Sequence, residues 1–328
     1  MAESRTDWID ISKGFGIILV VYGHVVRGID NSSLAINEEF FHISDTFVYS
    51  FHMPLFFFLS GIFFEKSIKK YTSKGLFIEK CKTILYPFII WSLLQTIIEF
   101  GLSRFTNGNV EFNNILTCIF RPRAQFWFLY ALFFINVINI ILFSFFKKKW
   151  LIISLIIAII YYEYPINLSV FSSTFKYLIF FNLGILISNH LLNNILLKQI
   201  SHFKNLILIL IIFIIVEYLY IIYSLDILFK LLIPPILGIV VIISISYLLD
   251  ERKACSNHLS SLGKNSMYIY ILHILVASGT RIILTTLFHI DSTILHIIIG
   301  TLMGIYIPYL VTKFFKNNKF YLKLFSLK

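Results

Sequence analysis

Apolar stretches of helical length, separated by short polar segments, recur from one end of this chain to the other. Because about 20 apolar residues cross a ~30 Å hydrocarbon core as a helix, the pattern predicts spans. They fall at 8–28, 45–64, 77–99, 125–146, 150–164, 171–190, 205–224, 227–249, 265–283 and 292–314. The span at 150–164 is short for that thickness and is expected to tilt or to lie partly in the interface. Pro234 and Pro235 remove two amide donors and are expected to kink their span. The run 207–215 is apolar on every side and reads as lipid-facing helix. No internal repeat is visible. The first span carries Asp10, Lys13 and His24, so it reads as a permanent helix, not a cleavable signal peptide.

Composition sharpens this picture. Hydrophobic residues make up 58% of the 328 residues and charged ones only 14%, against about 25% charged in a soluble domain. Mean hydropathy is +0.84. Water alone cannot solvate such a chain, so the expected fold class is an all-α polytopic integral membrane protein of about ten transmembrane helices. No long polar run divides it, and 1–328 reads as one membrane domain.

The net charge of +11 does not point to nucleic acid, because the basic residues cluster at span ends, where lipid headgroups attract them. With the N-terminus cytoplasmic, that side holds Arg5, Lys13, six lysines between 66 and 82, and Lys147–Lys149. It also holds Lys198, Lys204, Arg252, Lys253, Lys264 and five lysines between 313 and 328. The other side keeps Arg27, Arg104, Arg121, Arg123, Lys176, Lys230 and Arg281. This asymmetry favours both termini inside and an even number of spans. The outer segment 27–45 is acidic. Cys81, Cys118 and Cys255 lie far apart without CxxC spacing, so neither a metal site nor a disulfide framework is expected.

The candidate chemistry lies in polar residues inside the spans, where a charged group costs roughly 2.5–3.5 kcal/mol at the helix centre. Lys13 and His24 are eleven residues apart, which puts them within about 20° of one helix face and about 16 Å apart along the axis. Asp10 lies about 40° from His24 on the same wheel and can pair with Lys13. The stripe therefore offers a cationic subsite near one end and an imidazole toward the other. His52 sits in the second span at about the depth of His24, and the two form a plausible pocket. An interhelical hydrogen bond is the alternative reading for each histidine. Ser60 and Gly61 read as close-packing residues. Lys80 and Lys82, ahead of Tyr86, read either as headgroup anchors or as ligands for the phosphates of a soluble cofactor. Arg121, Arg123, Gln125 and Trp127 read either as an interfacial belt or as part of a pocket. Gly263-Lys264-Asn265-Ser266, followed by Tyr268, Tyr270 and His273, reads by itself as a loop and an aromatic interface.

Taken together, four segments resemble the membrane acyltransferase 3 family, in particular its fucose 4-O-acetylase-like branch. They are Trp8-Ile9-Asp10-Ile11-Ser12-Lys13-Gly14 running to Tyr22-Gly23-His24; Phe51-His52-Met53-Pro54 running to Ser60-Gly61; Phe126-Trp127-Phe128-Leu129; and Gly263-Lys264-Asn265-Ser266 with Tyr270 and His273. The broad family shows an arginine, ten residues, then a histidine. Here Lys13 replaces the arginine, as is common in that branch, and a fixed guanidinium fork is lost. The family's arginine-rich entry to the third helix is matched only loosely by Lys80 and Lys82.

The resemblance implies transfer of an acyl group, usually acetyl from acetyl-CoA, to a hydroxyl of a cell-surface polysaccharide or lipid-linked sugar. It also implies a multi-pass protein of the bacterial inner membrane. The Ile-, Lys-, Asn- and Phe-rich composition fits an AT-rich bacterial genome. Under this reading His24 is the general base, because the reference pKa of an imidazole lies near 6.5 and burial tends to keep the ring neutral. Lys13, oriented by Asp10, contacts the donor. His52, Trp127, Tyr270 and His273 line the acceptor pocket, and Lys80, Lys82 and Tyr86 meet the donor phosphates. Membrane lipids and the sugar are the expected partners, with no metal and no nucleic acid. The rival expectation is a transporter or flippase for a glycolipid or small solute, using the same residues as a proton or substrate path.

Overall fold

The computed structural model describes residues 7–102, 110–193, 195–223, 227–252 and 256–327. Cys255 and the basic residues Arg5, Arg104, Lys253 and Lys328 lie outside the described residues.

The described residues are helical, with no strand among them. In chain order they form α1 (Asp7–Asp30), α2 (Glu38–Ile62) and α3 (Phe64–Lys80), then a π-helical turn (Cys81–Leu85) that leads into α4 (Tyr86–Gly101). Next come α5 (Phe112–Thr117), α6 (Trp127–Phe146), α7 (Trp150–Glu163), α8 (Ser172–Leu192), α9 (Ile195–Ile200) and α10 (Phe203–Ile222). The chain closes with α11 (Ile227–Arg252), α12 (Ser256–Lys264), α13 (Ser266–Thr286), α14 (Thr293–Phe314) and α15 (Lys319–Lys323).

Every predicted span falls on a helix, and the protein is a polytopic all-α membrane protein. Among the described residues, eight helical stretches are long and apolar enough to cross a membrane. Two features bring this number toward the predicted ten. The stretch Ala124–Glu163 counts once, yet it holds both α6 and α7, broken at Lys147 by a positive φ of 44°. α2 is not among the eight, because Asp45, Ser50 and His52 lower its hydropathy.

Local chemistry starts and stops these helices. Asn37 caps α2 by accepting from the Phe40 amide at 2.8 Å, and Glu38 and Glu39 follow in its first turn, where the helix dipole favours them. The outer segment expected at 27–45 is thus only a short connection, because α1 continues to Asp30 and α2 begins at Glu38.

α1 is the central column. It packs against α2, α11, α12, α13 and α14, while α2 packs on α8, and α6 on α7 and α8. Two contacts are close enough to require glycine. A Cβ on Gly61 would strike the Phe181 carbonyl, and one on Gly184 would strike the Phe58 carbonyl, so α2 and α8 meet backbone to backbone. Likewise Gly14 faces the Leu259 carbonyl and Gly263 the Asp10 carbonyl. The second contact corrects the loop expected at Gly263-Lys264. Both residues belong to α12, which lies against the start of α1, and Lys264 pairs with Asp7 at 3.3 Å.

Some polar groups in the apolar interior join helices to one another. Asn182 donates to Ser154 at 2.8 Å, joining α8 to α7. On α10, Ile207, Leu208, Ile211, Ile214 and Ile215 are exposed, as a lipid-facing surface should be.

Candidate active site

α1 carries both polar clusters that the sequence pattern put on one face. At its start Lys13 pairs with Asp10 at 3.7 Å. Ser12 donates to the Trp8 carbonyl (2.9 Å), and the Trp8 amide donates to Asp250 of α11 at 3.1 Å. This end of α1 is thereby fixed between α11 and α12.

Eleven residues further on, His24 lines a cavity of about 580 Å3. The cavity lies at the end of the bundle where α1 and α4 finish and α14 begins. Its walls include Arg27, Gly28 and Asn31 from α1 and the residues just beyond it, Glu99 from α4, Arg123 and Ala124, Ser278 and Arg281 from α13, and His296 from α14.

The aromatic and charged groups around His24 come from three helices, α1, α2 and α13. The His273 ring, on α13, lies 5.0 Å from the His24 ring between centroids, and the Tyr49 ring, on α2, lies 6.4 Å away. Tyr49 stands edge-on to His52 at 4.6 Å, so its ring neighbours both of the histidines that the sequence pairs. Arg27 lies over the Tyr49 ring, 3.2 Å from its centroid, and makes two hydrogen bonds to Asp45, of 2.5 and 2.9 Å. The Tyr49 hydroxyl is buried without a partner.

His52 and His273 are both fully buried and share one arrangement. In His52, Nδ1 faces the Val48 carbonyl at 2.5 Å; in His273 it faces the Tyr270 carbonyl at 2.6 Å. A carbonyl only accepts, so each Nδ1 carries the proton. Each Nε2 is left as a bare acceptor, buried and without a partner. His24 differs from both, because its ring reaches the cavity.

The remaining predicted residues separate into those beside this centre and those away from it. Tyr270 donates to the Gln125 carbonyl. Gln125 in turn donates to Gln95 (2.7 Å) and to the Ile271 carbonyl (3.2 Å), both buried bonds. This lock holds Arg123 and Ala124 at the cavity wall, where Ala124 adopts a φ of 46°. Trp127 instead packs against Tyr177 and Phe57, at 5.4 and 6.4 Å. Lys80, Lys82 and Tyr86 lie around the π-helical turn, where the Leu327 amide donates to the Lys82 carbonyl at 3.2 Å.

Tyr49, Asp45, Glu99 and Arg281 carried no site reading from the sequence. Asp45 and Arg281 entered only as loop charge, and nothing local marked Tyr49.

Three comparisons bear on identity. A family model described as an acyltransferase domain, that of the acyltransferase 3 family, matches residues 6–313. Over 176 residues the chain is 28% identical to nodulation protein NolL of Sinorhizobium fredii (strain NBRC 101917 / NGR234). That match covers 52% of this chain and 45% of NolL, so it spans about half the relative's length. No solved structure matches.

Proposed function

We propose that this chain, a multi-pass enzyme that belongs to the acyltransferase 3 family, moves acetyl from acetyl-CoA to a hydroxyl of a cell-surface polysaccharide or lipid-linked sugar, with His24 as general base. Family membership decides between transfer and transport in favour of transfer. The observation that carries the finer reading is the position of His24: its ring faces a cavity large enough for a sugar, with His273 behind it at 5.0 Å.

A sugar hydroxyl is a poor nucleophile at neutral pH. In this reading His24 takes the hydroxyl proton as the oxygen attacks the thioester carbonyl. The tetrahedral intermediate collapses, the carbon–sulfur bond breaks, and the thiolate of coenzyme A leaves and is protonated. The products are an O-acetyl ester and the free thiol. His273 and His52 act as positioning residues, since their tautomers are held by backbone carbonyls. Tyr270 positions the cavity wall through Gln125. Trp127, packed on Tyr177, shapes the neighbouring aromatic wall. The donor enters from the opposite end of α1, past the Lys13–Asp10 pair, and Lys80, Lys82 and Tyr86 meet its phosphates.

Membranes holding the protein should transfer labelled acetyl from acetyl-CoA to the host's glycolipid fraction, and membranes without it should not. Absence of protein-dependent label, with the cognate glycan and other short acyl donors tried, sinks the reading. Label from succinyl-CoA alone would replace only the acyl group.

The reading also takes 1–328 as one membrane domain in a bacterial inner membrane, with both termini cytoplasmic and the cavity opening outward. Ser33→Cys, in the exposed connection between α1 and α2, on a cysteine-free background should react with an impermeant maleimide added outside intact cells. Reaction only after the cytoplasmic face is opened would reverse the orientation.

A further inference from the structure

The cavity holds more positive than negative charge, and Arg281 carries the surplus. Arg27 is neutralised by Asp45, and Arg123 by Glu99 at 3.5 Å. Arg281 donates Nη1 to the Gly28 carbonyl and pairs with no carboxylate among the described residues. It is half-buried at the cavity wall. A guanidinium held there without a counter-charge costs free energy that a bound anion offsets.

Two further groups on the same wall lack partners. Arg123 Nη1 is buried and unbonded, although the same side chain reaches Glu99. His296 Nδ1 is also buried and unbonded, while its Nε2 faces the Ile290 carbonyl at 2.7 Å. The first offers an N–H donor. The second, with the proton on Nε2, offers an acceptor for a hydroxyl.

Spacing relates these groups to the base. Gly28 lies four residues beyond His24, about 6 Å along the axis of α1. The Arg281 guanidinium that contacts Gly28 therefore sits one helical turn outward of the His24 position. One turn is comparable to the width of a single pyranose ring.

We infer that the acceptor is an acidic sugar. Its oxyanion, a carboxylate or a phosphate ester on the reacting ring or the next one, docks on Arg281 and Arg123, and the reacting hydroxyl faces His24. The planar guanidinium fork favours such oxyanions because it can donate two hydrogen bonds to one carboxylate or phosphate. Arg281 is then a specificity-determining residue of the reaction. The inference rests on the transferase reading above for the word acceptor, and on the cavity alone for the anion site.

The test has two arms. In the first, the purified full-length protein is melted in the presence of glucose, glucuronate or glucose 1-phosphate at constant ionic strength. The acidic sugars should raise the melting temperature at concentrations at least tenfold below that needed for glucose. Arg281→Gln should remove the difference, and Arg281→Lys should keep part of it. Glucuronate and glucose 1-phosphate separate carboxylate from phosphate recognition. Equal behaviour of the three sugars with wild-type protein overturns the inference without requiring any variant, as does a preference that survives in Arg281→Gln.

In the second arm, kcat/KM for acetyl transfer is measured on methyl glucoside and methyl glucuronide. The acidic acceptor should be favoured at least tenfold, and Arg281→Gln should erase that ratio. A variant that lowers both acceptors alike shows a structural role and overturns the inference. Stabilisation by acidic sugars without transfer from any donor supports the anion site and sinks the transferase reading. Transfer blind to acceptor charge does the reverse.

Discussion

Replacing His24 with alanine is expected to lower kcat for acyl transfer by about 10²–10⁴-fold, the usual worth of a positioned general base. KM for the donor should change little, because the Lys13–Asp10 pair lies about 16 Å away along α1. The substitution removes a ring that faces the cavity and leaves the backbone contact of Gly14 with α12 intact. Folded yield should therefore hold, and equal yield is the control that makes the rate interpretable. His273→Ala is the informative companion. It removes a ring 5.0 Å from His24 whose Nδ1 is committed to a backbone carbonyl. As a positioning residue it should cost less than His24 and should change the pH profile of kcat. A protein that survives His24→Ala but not His273→Ala would transfer the base assignment to His273.

Gly61→Val, and independently Gly184→Val, should abolish well-folded protein. At these positions α2 and α8 touch through their backbones: the Cβ of either variant would overlap a carbonyl of the facing helix, Phe181 or Phe58. A flexible side chain can move aside, but a helix backbone cannot without separating the pair. Separation would open the packing of Phe58, Ile62, Phe181 and Ile185, all buried. The cost should lie at or above the roughly 1–3 kcal/mol typical of overpacking. Small residues bring membrane helices together because apolar burial does not distinguish a neighbouring helix from lipid. The readouts are monodispersity and melting temperature in detergent. Gly101→Ala is the control, because a Cβ there meets nothing within 4 Å. Unchanged melting of Gly61→Val would show that the two helices are further apart than described.

The helices themselves were legible in the sequence because hydropathy is a local property. Each predicted span needs only its own twenty or so residues to be recognised, and each falls on a helix. The stripe on α1 was legible for a related reason: the positions of Asp10, Lys13 and His24 on a face follow from 3.6 residues per turn. Elements whose cause lies elsewhere were not legible. The π-helical turn at Cys81–Leu85 and the short connection after α1 leave no hydropathy signature. Gly263 looked like a loop glycine because its partner, the Asp10 carbonyl, is more than 250 residues away in the chain.

The same division runs through the candidate site. By itself the sequence determined a membrane-embedded helical protein with a costly imidazole and cation on its first helix, and four motifs that resemble one acyltransferase family. Only the tertiary structure decided what surrounds His24. It set His273 beside that ring, brought Tyr49 against both His24 and His52, and turned Trp127 toward Tyr177. It also paired Arg27 with Asp45 and Arg123 with Glu99, while leaving Arg281 on the Gly28 carbonyl. In the sequence these are span-end charges, indistinguishable from headgroup anchors. Whether such a charge meets lipid, a carboxylate or a cavity depends on which helices become neighbours, and that is set by packing between segments, not by the composition of any one of them.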